Sequence, residues 1–389
     1  MNSSIVFISH EATLTGAPIL LLHLLEELRP LLSEEIIVVL GKDGPLRARF
    51  DQVATVLVYE QPMASRLQSA LLHRTGSWSA YHRARLRRQL RGKNVRLFFS
   101  NTTATGKLVA ALRLPPQVPL ITYVHELRFT IEMQQLVHGD VYRLLARTSY
   151  FLAGSNAVRQ ELLGRGVSDE KIQVVYSSIP FELLSERVAA ADVAAVRQEL
   201  GLRADGQLVV AIGTANWRKG NDWFLEMAAR LARQQPALRF AWVGVSPGTL
   251  EHMQMSHDVL RYGLTSQFTL IPVTPAYLAY LVLADVFVLA SREDPFPLVV
   301  LEAAVAGKPT VCFADAGGAP EFVGTAHGAV VPYGDVAALA DATAALLADP
   351  GHARALGARA RAAVQSNYDV AGAAAQVAQV IKRLTGSLA

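Results

Sequence analysis

Ala290-Ser-Arg-Glu-Asp-Pro-Phe-Pro-Leu-Val-Val-Leu-Glu302 sets a cluster of acids and prolines between an apolar strand and an apolar helix. The run before it, 284–291, is short and apolar, the pattern of a strand buried on both faces of a parallel sheet, and 298–306 reads as the helix that follows. Ligands of parallel sheets bind at the carboxyl ends of the strands, where this loop falls. Pro295 and Pro297 stiffen the turn. Phe296, Leu298 and Val299 then present backbone N–H groups at the start of the helix, an end that attracts phosphate. Glu302 lies about one turn into the helix, placed to accept hydrogen bonds from ribose or sugar hydroxyls, and Asp294 is the matching acid in the loop.

The same grammar extends in both directions. Downstream, 307–323 is a strand followed by a Gly317-Gly318 turn that opens a short helix, with Glu321 in its first turn facing the positive end of the helix dipole. Upstream, the apolar run 209–212 ends at Gly213 and leads through a polar loop bearing Arg218 and Lys219 into a helix over 221–235. Cations there neutralise a diphosphate, or they are two surface charges on a loop. Apolar strand-length runs recur at 5–9, 35–40, 55–59, 96–100, 120–125, 151–155 and 172–177, and again at 208–213, 240–244, 268–273, 286–290, 310–313 and 329–331. Most are separated by helix-length segments, which argues for right-handed βαβ crossovers in two parallel sheets, and 389 residues suffice for two such cores. Ser177-Ser-Ile-Pro180 interrupts the pattern and opens a hinge region that reaches to Asp205.

These segments resemble the retaining glycosyltransferases of family four. Asp294 and Glu302 are similar to the family's pair of acids separated by seven residues, Gly317-Gly-Ala-Pro-Glu321 to its GG-x-PE segment, and Lys219-Gly220 to its lysine-glycine pair six residues after the strand-end glycine. The chain departs in having Asp294 where Glu is commoner and Thr214 where an arginine usually stands; Arg218 is the substitute cation. The resemblance implies an α/β protein of GT-B architecture, two Rossmann-like domains facing each other across a deep cleft. Residues 1–180 would form the acceptor-side domain and 181–368 the donor domain, with 369–389 a terminal helix crossing back onto the first. It implies a nucleotide-sugar donor, with Lys219, Arg218 and the N–H groups of Phe296, Leu298 and Val299 beside Pro297 at the diphosphate, Thr214 also among the donor-binding residues, Glu302 at the ribose, and Asp294 and His125 at the sugar. No carboxylate stands out as a covalent nucleophile, so front-face substitution is the mechanism carried over.

In the first half, 5–18 is a strand, a polar loop and a helix beginning near Ala17, so that Gly16 and the helix N-terminus face a phosphate or the transferred sugar. The GxGxxG spacing of a dinucleotide site is absent. His125 ends the strand 120–125 and is followed by Glu126, as in the family, which places the histidine near the donor sugar; a satisfied interface histidine is the alternative. The hydroxyl-rich junction 100–105 and Asn156 either cap helices or contact an acceptor.

Net charge is only +4, yet 82–93 holds five arginines and a lysine, a candidate contact with anionic membrane or an acidic acceptor, or a solvated helix face. No nucleic-acid reader motif accompanies it. No run has the apolar length of a transmembrane helix and no signal-peptide pattern is present, which implies a cytoplasmic protein. The lone Cys312 excludes an intramolecular disulfide, and without an Asp-x-Asp motif the expectation is a metal-independent enzyme with no cofactor. An epimerase, a phosphorylase or a nucleotide-sugar scaffold without turnover shares the fold and is distinguished by its products.

Overall fold

The computed structural model describes residues 3–60, 74 and 77–386. The chain divides into two units, Met1–Tyr176 together with Val370–Ala389, and Ser177–Asp369. The first is built on β1 (Ser3–Ser9), β2 (Glu35–Lys42), β3 (Thr55–Glu60), β4 (Asn94–Ser100), β5 (Leu120–Val124), β6 (Tyr150–Ala153) and β7 (Ile172–Val174), ordered β3-β2-β1-β4-β5-β6-β7. The second holds β8 (Leu208–Ile212), β9 (Arg239–Val243), β10 (Phe268–Ile271), β11 (Val286–Leu289), β12 (Thr310–Phe313) and β13 (Gly328–Val331), ordered β10-β9-β8-β11-β12-β13. Every pairing in both sheets is parallel.

Each strand falls on one of the apolar runs, because a strand covered by helices on both faces has no polar alternation to obscure it. The ends differ by a few residues. The run 120–125 pairs only to Val124, where Gly154 donates to the last ladder carbonyl, and His125 stands beyond the sheet in the loop. The run 172–177 shortens to Val174, since its neighbour β6 stops at Ala153.

In each sheet the strand order reverses beside the first strand, between β1 and β4 and between β8 and β11. Crossovers leave in opposite directions at these points, so the loops splay apart and open a crevice at the strands' carboxyl ends. Helix Val370–Thr385 packs on the first unit. Its stripe of Val370, Ala373, Ala374, Val377, Ala378 and Ile381 is buried, largely against helix Gly16–Leu28, and Arg96 donates to the Thr385 carbonyl near its end.

Candidate active site

The loops at the second reversal point converge. After β8 the chain makes a single 3-10 turn, Trp217–Lys219, closed at its start by the Asn216 side chain, which accepts from the Lys219 N–H at 3.1 Å. Gly220 ends the turn at φ +68°, and a Cβ there would lie 1.9 Å from the Ala290 carbonyl oxygen, so both conformation and space demand glycine. The turn is thereby pressed against the end of β11. The Lys219 ammonium reaches across to Asp294, with Nζ 2.5 Å from Oδ2. Arg218 donates to the Glu293 carbonyl at 2.7 Å and stands 3.8 Å from the same Asp294 oxygen.

Asp294 is nearly buried and its backbone is pinned, donating to the Ala316 carbonyl at 2.7 Å and accepting from Gly318 at 3.0 Å. The acid loop, the Gly317-Gly318 turn and the cation turn therefore form one assembly across β8, β11 and β12. Asp294 is thus met by two cations from the turn after β8. Beside it, helix Leu298–Val305 begins without a side-chain cap, and among the described residues the N–H groups of Leu298 and Val299 have no acceptor. Positive potential from a helix N-terminus and two cations is the environment a diphosphate requires. The Phe296 ring is buried against Tyr368 at 5.6 Å, so this residue anchors the loop; Pro297 occupies the cap position. Thr214 is exposed at the end of β8.

Glu302 is half-buried in the same helix and accepts from the Tyr277 hydroxyl at 3.0 Å. Burial pushes its carboxyl up to about 7, despite the Tyr277 hydrogen bond and the Arg187 guanidinium. It is therefore poised between a neutral acid and an ion at ordinary pH.

At the reversal point of the first unit, polar groups without partners collect. Both ring nitrogens of His125, Nδ1 of His10 and Oδ1 of Asn101 are buried and have no hydrogen-bond partner among the described residues. They lie at the ends of three neighbouring strands, β1, β4 and β5, linked where the Asn101 N–H donates to the Ile8 carbonyl. Orphan buried polar atoms are uncommon, and each needs a partner such as water or a ligand. Burial holds the His125 imidazole down to about 3, so it is neutral, one nitrogen a donor and the other an acceptor. Glu126 takes no part in this cluster. It accepts from the Thr102 hydroxyl and from the N–H groups of Thr103 and His125, which locks the 100–105 junction to the end of β5, while Thr102 also caps that turn.

Two family descriptions match the chain, "Glycosyltransferase Family 4" over residues 14–183 and "Glycosyl transferases group 1" over 192–363. The chain belongs to the group 1, family 4 glycosyltransferases. A D-inositol 3-phosphate glycosyltransferase of Kribbella flavida is 30% identical over 259 residues, 62% of this chain and 60% of that protein. A GDP-mannose-dependent phosphatidylinositol monomannoside mannosyltransferase of Mycolicibacterium smegmatis is 31% identical over 198 residues, 48% of this chain and 50% of that protein. The matched region thus spans about three fifths or less of these relatives. Among solved structures, Anabaena Alr3699/HepE in complex with UDP and glucose superposes with a TM-score of 0.78 at 20% identity, covering 97% of this chain and 99% of that one. This likeness shows the GT-B fold.

In this chain the residues expected at the donor site lie together: Lys219, Arg218, Asp294 and the start of helix Leu298–Val305 at one reversal point, with Glu302 a turn further along the helix. The geometry adds Arg292, which the sequence did not single out. Its backbone donates to the Arg218 carbonyl, its side chain to the Trp217 carbonyl and twice to Asp222 at 2.8 and 2.6 Å, and its guanidinium lies 3.8 Å over the Trp223 ring, clamping the cation turn. Tyr277 was likewise missed.

In the basic strip 82–93 three of the six cations are engaged by the fold. Arg85 donates to the Val58 and Tyr59 carbonyls, Arg87 to the Ala111 and Leu112 carbonyls, and Lys93 pairs with Glu35 at 2.8 Å. These three tie helix Trp78–Leu90 and its C-terminal turn to the fold.

Gly16 begins helix Gly16–Leu28, and a Cβ there would meet nothing within 4 Å. The fold does not demand glycine at this point. Gly16→Val is expected to change stability by less than about 0.5 kcal/mol in thermal melts. If the open space is occupied by substrate, the same variant lowers kcat/KM by about tenfold or more, the equivalent of about 1.4 kcal/mol.

Proposed function

We propose that this glycosyltransferase moves a sugar from a nucleoside-diphosphate donor to a hydroxyl of a glycan or lipid-linked acceptor, with retention of anomeric configuration. The convergence of Arg218 and Lys219 on one point beside an uncapped helix carries this reading, since fixed positive charge there stabilises the leaving diphosphate as the glycosidic bond breaks. Glu302 accepts the ribose hydroxyls. Thr214 borders the diphosphate, and Asp294 holds Lys219 in place and contributes to orienting the sugar. The strand ends of the first unit, with Gly16, His125, His10 and Asn101, serve sugar hydroxyls, and the neutral His125 acts there as a hydrogen-bonding group.

In the reaction, the bond from the anomeric carbon to the phosphate oxygen breaks as the acceptor oxygen bonds to the same face. The acceptor's proton passes to the departing phosphate oxygen, giving a glycoside and a nucleoside diphosphate. With cations already supplied by Arg218 and Lys219, the transfer runs without a divalent metal.

The named activities of the Kribbella and Mycolicibacterium relatives favour a lipid or inositol acceptor, and the bound UDP and glucose of the Anabaena protein favour a sugar nucleotide. Envelope glycan synthesis at the cytoplasmic side of the membrane is the setting these support. A thermal-shift series with UDP, GDP, TDP and ADP and their sugar conjugates tests the donor site, because a ligand bound only by the folded state raises the melting temperature. A rise with one nucleotide family that survives EDTA supports the reading. No rise with any nucleotide would overturn the donor assignment, and a rise abolished by EDTA would overturn metal independence.

A further inference from the structure

Glu302 is held from outside its own helix, by a residue that lies beyond the motifs read from the sequence. Tyr277 opens the short helix Tyr277–Leu283, which leads from β10 to β11 and packs against helix Leu298–Val305. Its hydroxyl donates to Oε1 of Glu302 at 3.0 Å. Both residues are half-buried, so the pair is sheltered without being sealed from a ligand. Burial pushes the ionisation of the phenol well above its ordinary range, and Tyr277 therefore stays a donor at any working pH.

The surroundings add one cation and little else. Helix Phe181–Ala189 packs against both of these helices and brings the Arg187 guanidinium to 6.0 Å from the centre of the Tyr277 ring, where its charge also reaches Glu302. The strands beneath, β11 and β12, are apolar apart from Thr310 and the buried Cys312 thiol. Arg361 of helix Pro350–Asn367 is spent on the Val305 carbonyl and, at 3.0 Å, the Ser185 hydroxyl. A glutamate side chain turns about three bonds, whereas a carboxylate that receives a vicinal diol must offer its oxygens in one plane. A bond already in place spares the cost of freezing those rotations when ligand binds. Tyr277 takes one lone pair of Oε1 and leaves the other, with both of Oε2, for ribose hydroxyls.

We propose, resting on the reading of Glu302 as the ribose acid, that Tyr277 is a positioning residue of the donor site, its hydroxyl fixing the Glu302 carboxyl in the orientation that receives the ribose diol. The same bond favours the carboxylate over the neutral acid and so opposes the desolvation that raises Glu302. Without it Glu302 keeps its proton to still higher pH.

Tyr277→Phe keeps the ring and removes the hydroxyl. The test is calorimetric titration of the wild type, Tyr277→Phe, Glu302→Ala and the double variant between pH 5.5 and 8.5, with whichever of UDP, GDP, TDP and ADP raises the melting temperature. Tyr277→Phe is expected to bind about 5–10-fold more weakly at pH 8, with the loss appearing in the donor KM and not in kcat. The pH midpoint of its binding moves up by about half a unit or more, and it costs nothing further in the Glu302→Ala background. Melts without ligand supply a second reading. The stability of the wild type relative to Glu302→Gln falls from pH 4.5 to about 7, and with Tyr277→Phe in both proteins that fall continues to higher pH, because the folded carboxyl holds its proton longer. A wild type that binds none of these nucleotides overturns the donor reading and this inference with it. A wild type that binds, beside a Tyr277→Phe variant of equal affinity and midpoint, overturns this inference alone. So does a loss of affinity that persists in full in the Glu302→Ala background, which would mark Tyr277 as packing only.

Discussion

Lys219→Met is expected to lower kcat/KM for sugar transfer by about 10²–10³, the cost of removing one preorganised charge from a developing phosphate anion. The lysine also neutralises Asp294, whose side chain is only 7% exposed. Removing it leaves that carboxylate facing Arg218 alone, at 3.8 Å, so the variant also loses about 1–3 kcal/mol of stability. The two effects separate in Lys219→Met/Asp294→Asn. Dropping the uncompensated charge restores the melting temperature, while kcat/KM stays low because the cation at the phosphate is still missing. Melts and steady-state kinetics on the three proteins check this. Recovery of activity together with stability would show that Lys219 serves the fold and not the donor.

Glu302→Gln is expected to flatten the pH dependence of nucleotide binding. With its carboxyl at about 7, Glu302 is neutral at pH 6 and ionised at pH 8. Only the ion accepts from both hydroxyls of a ribose diol, so the wild type binds nucleotide more tightly as pH rises through 7. Glutamine gives a weaker, pH-independent affinity, lower by about 10–100-fold at pH 8 for loss of a charged hydrogen bond. Stability moves the opposite way. A carboxyl raised from 4.5 to about 7 keeps its proton in the folded state over that window while the unfolded chain has lost it. The stability of the wild type relative to the Glu302→Gln variant therefore falls between pH 4.5 and 7, by at most about 3 kcal/mol. Calorimetric titrations with the nucleoside diphosphate at pH 6 and 8, paired with melts, measure both signs.

The fold was legible because its strands are covered on both sides and read as plain apolar runs, and the site because such strands end in loops at fixed places. The chemistry of single residues was less so. Lys219 and Asp294 are separated by 75 positions, and nothing local shows that one grips the other. Arg218 and Arg292 both sit in polar loops, yet one meets Asp294 and the other clamps the turn beneath it, a difference made by Asp222 and two tryptophans brought up from the neighbouring helix and turn. Arg85 and Arg87 read as free surface charge until the carbonyls they reach are in view. Helix Arg128–His138 has an ordinary amphipathic period, and only packing shows Gln134 and Gln135 turned to Thr103 and Tyr142. The departures at Asp294 and Thr214 mark where this chain differs from its family. At the first of them the shorter acid meets Lys219 directly.

The reaction proposed for this protein is transfer with retention from a nucleotide sugar. Its most direct measurement is the NMR spectrum of the linkage formed when the sugar nucleotide selected by the thermal-shift series is incubated with the protein and an envelope glycolipid extract in EDTA. The expected product is a new glycoside whose anomeric configuration equals that of the donor, formed by the wild type and absent with Lys219→Met. A glycoside of inverted configuration would contradict retention, and a bound donor that yields no glycoside with any acceptor fraction would contradict transfer itself.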